Sequence, residues 1–190
     1  MAQFVNAKEA LVTEALDGLL ATSGGKLARL DGYPHIKVVY RADWERAKVA
    51  LVSGGGSGHE PMHAGVVGYG MLDAACPGQV FTSPTPDQIL AAVEAVDGGA
   101  GVLLIVKNYA GDVMNFEMAA EVFAGKSSTV LVQDDVAVEK STFSESRRGV
   151  AGTLVVEKIV GAAAEAGAHL AASVDLGTRV ARACGSIGVA

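Results

Sequence analysis

Aromatic side chains are scarce in this 190-residue chain, at 5%, and there is a single tryptophan. Basic residues are outnumbered, 15 against 21 acids, for a net charge of −6. A nucleic-acid surface needs a positive face, often with stacking aromatics, so both shortages argue against such a partner. The two cysteines, Cys76 and Cys184, fit neither a metal-ligand spacing nor a disulfide framework, which leaves reduced thiols as the expectation. No apolar run approaches the ~18–20 residues that span a bilayer. The first residues, Met-Ala-Gln-Phe-Val-Asn-Ala-Lys-Glu, lack the charged-then-apolar pattern of a secretory leader. The expected location is the cytoplasm, with no membrane partner.

What is plentiful is alanine, valine and glycine, within a hydrophobic fraction of 50%. Short apolar runs flanked by glycine are the mark of buried parallel strands packed closely against helices, and the length suits one domain. Helical spacing of apolar residues predicts a first helix over 7–21, followed by an irregular stretch over 22–36. Strands are predicted at Lys37–Tyr40 and, more strongly, Val49–Val52. Strand–helix units then follow: a strand at Val80–Thr82 with a helix over Asp87–Val96, and one at Val102–Val106 with a helix reaching about Phe123. A strand at Thr129–Val132 and helices over 150–166 and 170–183 complete the chain. This alternation predicts an α/β fold, a mostly parallel sheet flanked by helices on both faces. Residues 185–190 read as the start of another strand, so the chain is expected to be cut from a longer one.

In such sheets ligands bind beyond the carboxyl ends of the strands. His59, Ser83, Lys107 and Asp112 all fall there. The run Val49–Pro61 is the richest: a strand, a side-chain-poor turn at Gly54-Gly55-Gly56-Ser57-Gly58, then His59, then Pro61 placed to start a helix. Bare backbone lets a small polar ligand approach N–H groups, and His59 can exchange protons near neutral pH. Three familiar motifs fail in this run. His59-Glu60-Pro61-Met62-His63 matches H-E-x-x-H in letters, but Pro61 breaks the single helix that a zinc site requires, so no metal is expected. A P-loop needs lysine, and G-x-S-x-G needs glycine, where His59 stands. Competing structural readings are a helix cap for Asp112, a surface lysine for Lys107 and a turn residue for Ser83. Asp134-Asp135 reads as a solvated loop and Arg147-Arg148 as surface. His35, His63 and His169 have no supporting context.

Four ordered segments together resemble the dihydroxyacetone (glycerone) kinases: Gly54–Pro61, Phe81-Thr82-Ser83-Pro84, Leu104–Asp112 and Arg147–Thr153. The resemblance implies a triose-binding subunit or domain that phosphorylates dihydroxyacetone to dihydroxyacetone phosphate. It places Gly56, Ser57, Gly58, His59, Ser83, Lys107 and Asp112 around the substrate, with His59 and Asp112 as the acid/base pair. It implies no cofactor on this chain; ATP or ADP with Mg2+ would sit on a partner subunit or fused domain, the two together forming the enzyme, with the binding part a homodimer. The resemblance also implies a second subdomain whose histidine holds the substrate carbonyl covalently. His169 does not match that residue, so residues 1–190 are expected to be the N-terminal subdomain of the dihydroxyacetone-binding domain, inactive alone. The other reading from the same family is a catalytically silent paralogue acting as a transcription co-regulator.

Overall fold

A computed structural model describes residues 5–30, 32, 34–43, 47–137 and 146–188. The elements are α1 (Leu11–Thr22), β1 (Leu27–Arg29), β2 (Val39–Arg41), β3 (Ala50–Ser57), β4 (Ala74–Val80), α2 (Pro86–Val96), β5 (Val102–Lys107), α3 (Ala110–Val122), β6 (Ser127–Val132), α4 (Gly152–Glu165) and α5 (Leu170–Ala183). One sheet takes the order β1-β2-β4-β3-β5-β6. Strands β4, β3, β5 and β6 run parallel, whereas β1 and β2 are added antiparallel at one edge. The sheet is therefore mostly parallel but mixed.

Both faces are covered. Successive residues of a strand point to opposite sides, and here Leu51, Leu103 and Ile105 meet α1, α4 and α5 through Leu16, Val156, Val160 and Ala181. Val52, Leu104 and Val106 meet α2 and α3 through Ile89, Val93 and Phe116. A strand buried on both sides reads as a continuous apolar run, which is why β5 and the first half of β3 are visible in the sequence. At the amino ends of the central strands lies a buried ion cluster. Lys48 Nζ is 2.5 Å from Asp73 Oδ2, and Arg41 joins Asp73 at 3.2 Å and also pairs with Glu165.

Several expectations need correction. The glycine run is not a turn: β3 continues through Gly54, Gly55 and Gly56 to Ser57, in register with β4 until an irregularity after Gly55. Strand β4 starts at Ala74, well before the predicted Val80, and passes through Cys76-Pro77-Gly78, residues that read as breakers. Strand β1 falls inside the stretch expected to be irregular. Pro61 starts no α-helix; residues after it form turns and a single 3-10 turn at Ala64–Val66. His59 and His63 therefore do not share a helix face. Asp134 and Asp135 are buried rather than solvated. Asp134 accepts hydrogen bonds from Val150 N at 2.8 Å and Gly152 N at 2.7 Å, while Arg148 pairs with Asp135 at 2.9 Å. Ser186 makes an isolated parallel bridge with Asp135; residues 189 and 190 lie outside those described.

Candidate active site

The parallel strands deliver their last residues to one edge, with Ser57 ending β3 and Lys107 ending β5. The Lys107 side chain does not snorkel outward. It is 3% exposed, and its Nζ lies 2.9 Å from where a Cβ on Gly55 would stand, so the bare backbone there leaves the ammonium its room. Nζ also sits 5.6 Å from the Tyr109 ring centre. After a two-residue link α3 begins, and its first turn carries Asp112, 4% exposed. Asp112 Oδ1 is buried with no hydrogen-bond partner among the described residues. Ser83, half-buried in the β4–α2 link, packs its hydroxyl against Gly111, beside Asp112.

His59 stands at the exposed rim, its ring edge-on to Phe81 at 5.2 Å between centroids. Gly58 before it has φ of 109°, and a Cβ there would lie 2.7 Å from the Phe81 ring. Glycine is required at 58 on both counts. Gly56 lets Thr82 N approach to 2.6 Å of its missing Cβ. Ser57 directs its hydroxyl to the Gly78 carbonyl at 2.7 Å, so that group ties β3 to β4. Thus His59, Ser83, Lys107 and Asp112 are brought to one edge, and Gly56, Ser57 and Gly58 shape the strand end that carries His59.

The charges at this edge are interdependent. Burial raises the Asp112 carboxyl above its usual range, opposed by the Ser83 hydroxyl and by Lys107, His63 and His59. Burial lowers Lys107, opposed by Asp112 and Glu157. Burial lowers His59 as well, helped by Lys107 and His63 and opposed by Glu60 and Asp112. All three are drawn toward their neutral forms, the direction that readies groups for proton transfer near neutrality.

Sequence reasoning missed two residues here. His63 is buried, and its Nδ1 lies 2.9 Å from Glu157 Oε1, itself fully buried in α4. His63 Nε2 faces Gly55, 3.4 Å from the same Cβ position that Lys107 approaches. A signal for Glu157 existed. The buried stripe of α4 runs Thr153, Val156, Glu157, Val160, Gly161, Ala164, and a charged residue on such a stripe calls for a buried partner. Nothing in the sequence marks His63. Beside Gly55, Gly56 and His63 lies a cavity of about 270 Å³, closed by Leu16 and Leu19 of α1. A larger one of about 650 Å³, lined by Gln133, Arg147, Thr178 and Arg182, opens away from His59 and Asp112.

A family model described as the Dak1 domain matches residues 17–190. The chain is 53% identical over 193 residues to the PTS-dependent dihydroxyacetone kinase 1, dihydroxyacetone-binding subunit DhaK, of Listeria innocua, covering all of this chain and 58% of that protein. It is 56% identical over 156 residues to the PEP-dependent dihydroxyacetone kinase, dihydroxyacetone-binding subunit DhaK, of Escherichia coli, covering 80% of this chain and 44% of that protein. The crystal structure of the dihydroxyacetone kinase of C. freundii superposes with a TM-score of 0.89 at 44% identity, over 95% of this chain and 34% of that one. The dihydroxyacetone kinase operon co-activator Dha-DhaQ superposes at 0.78 and 37% identity, over 86% and 50%. The chain spans about half the length of the curated relatives it matches.

Proposed function

We propose that this chain, which belongs to the Dak1 domain family, holds the triose of a dihydroxyacetone kinase. One observation carries the reading: a buried carboxylate with one unpartnered oxygen, a buried ammonium seated on bare backbone and a histidine converge at one strand edge. Asp112 is the base that takes the proton of the substrate hydroxyl, His59 shares that proton work from the rim, and Lys107 orients an oxygen of the triose. As the O–H proton passes to the carboxylate, the oxygen forms its bond to phosphorus and the donor's bond to phosphorus breaks. The phosphoryl group comes from ATP or ADP-linked chemistry with Mg2+ on a nucleotide-binding partner. Ser83 stands beside the Asp112 carboxyl and favours its charged form, while Gly56, Ser57 and Gly58 keep the strand end bare. The same reading has the protein working in the cytoplasm as a homodimer, as the N-terminal part of a longer dihydroxyacetone-binding unit.

The test is phosphoryl transfer to dihydroxyacetone by the complete protein containing this chain, together with its nucleotide-binding partner. Formation of dihydroxyacetone phosphate, abolished by Asp112→Asn, supports the reading. Its absence with a competent partner overturns it and favours the co-activator reading that the similarity to Dha-DhaQ motivates.

A further inference from the structure

Behind Lys107 lies a second layer of buried polar groups for which proton transfer at Asp112 has no use. His63 Nε2, Glu157 Oε2 and Thr153 Oγ1 are all inaccessible to solvent and have no hydrogen-bond partner among the described residues. Thr153 and Glu157 are one turn apart on the inner face of α4. A carboxylate oxygen only accepts, so the Nδ1–H of His63 donates to Glu157, and Nε2 is left facing Gly55. The Lys107 ammonium shares the space above Gly55 with His63 Nε2. Nζ and Nε2 lie 2.9 and 3.4 Å from one point, the Cβ position above Gly55. The two make no direct hydrogen bond, so one bridging water is the link that would join them.

We infer that His63 and Glu157 are a positioning pair that holds the Lys107 ammonium, charged and in place, over Gly55. The groups facing Lys107 are Asp112 from α3, Glu157 from α4, His59 and His63 from the segment after β3, and the Tyr109 ring. Of these the two carboxylates, with a smaller contribution from the Tyr109 ring, favour the charged lysine against the desolvation that disfavours it. Asp112 loses its charge when it takes the substrate's proton, at the moment the ammonium is needed. Glu157, hydrogen-bonded to His63, takes no part in that transfer. This rests on the function proposed above only for the identity of the ligand and the timing of the proton.

The test compares the full chain with Glu157→Gln, which retains an oxygen acceptor for the His63 Nδ1–H and removes only the charge. The alkaline titration of Lys107, followed by NMR of its labelled Cε, should move down by about one pH unit. The alkaline limb of kcat/KM in the complete enzyme should move with it, and KM for dihydroxyacetone should rise more than kcat falls. An unchanged Lys107 titration in folded Glu157→Gln overturns the inference. Nitrogen NMR of the wild-type His63 ring decides it without relying on that variant. A ring protonated at Nδ1, whose Nε2 resonance shifts on Lys107→Met, is the expected result; a proton on Nε2, or no shift, overturns it. Neither NMR arm needs turnover. A protein that fails to phosphorylate dihydroxyacetone therefore sinks the kinase reading while these measurements still judge the pair.

Discussion

Asp112 is the residue at which stability and activity pull apart. Its folded pKa is raised from the ordinary 3.8 by burial, so below that value the carboxyl is neutral in both folded and unfolded chains and costs nothing. As pH rises toward the raised value, the unfolded chain ionises first and stability falls; above it, the full cost persists at neutral pH. Asp112→Asn should therefore raise the melting temperature at pH 7 by roughly 2–4 °C, equivalent to about 1 kcal/mol in a domain of this size. Calorimetry should show that gap closing below the ordinary carboxylate pKa. The same change should lower kcat by about 10²–10⁴-fold, the usual contribution of a positioned base. The acid limb of kcat/KM should lie above the ordinary carboxylate range, since the base must be ionised to act. A melting temperature that falls at pH 7 would contradict this account of the burial.

Helix α4 carries the element-scale argument, because it supplies Glu157 from one turn and closes on the 68–72 turn from another. An alanine inside a helix normally stabilises it by about 0.5–1 kcal/mol over glycine. At Gly161 the new Cβ would lie 2.6 Å from the Gly70 carbonyl group, which is backbone and cannot swing aside. Overpacking of that kind costs roughly 1–3 kcal/mol, and it outweighs the propensity gain. Gly161→Ala should be net destabilising by about 1–2 kcal/mol in denaturant unfolding. By lifting α4 from the sheet it should also weaken the His63–Glu157 contact. The amphipathic helices were legible from spacing alone, α5 to the residue. The strands β1 and β4 were not, because one is short and half-polar and the other is built from Ala-Ala-Cys-Pro-Gly-Gln-Val. Pairing partners, rather than intrinsic preference, make them strands.

At the scale of the molecule, the sheet separates its work. The amino ends of the central strands are cemented by Arg41, Lys48, Asp73 and Glu165, while the carboxyl edge carries unpartnered polar atoms. The groups at that edge offer a triose four or five hydrogen bonds, at ~0.5–1.5 kcal/mol each. These must offset a loss of freedom of about 4 kcal/mol or more. Residues 1–190 alone should therefore bind dihydroxyacetone with a Kd in the millimolar range at best. Micromolar binding by isothermal calorimetry would show that this edge holds the substrate far more firmly than its hydrogen bonds allow.

The scarcity of aromatics and the acidic balance turned the reading away from nucleic acid, and the alternation of apolar runs determined the α/β class with helices on both faces. The order of polar residues after those runs determined which edge carries His59, Ser83, Lys107 and Asp112. Periodicity and position along the chain are local properties, so a sequence can show them. Only the tertiary structure decided that the glycines are strand rather than turn, since neighbouring strands and side chains fill the space their missing Cβ atoms leave. It alone decided that Lys107 turns inward onto Gly55, and that a histidine with no mark in the sequence meets Glu157 some 94 residues away. Contacts across such separations depend on how the helices dock on the sheet, and no local pattern encodes that.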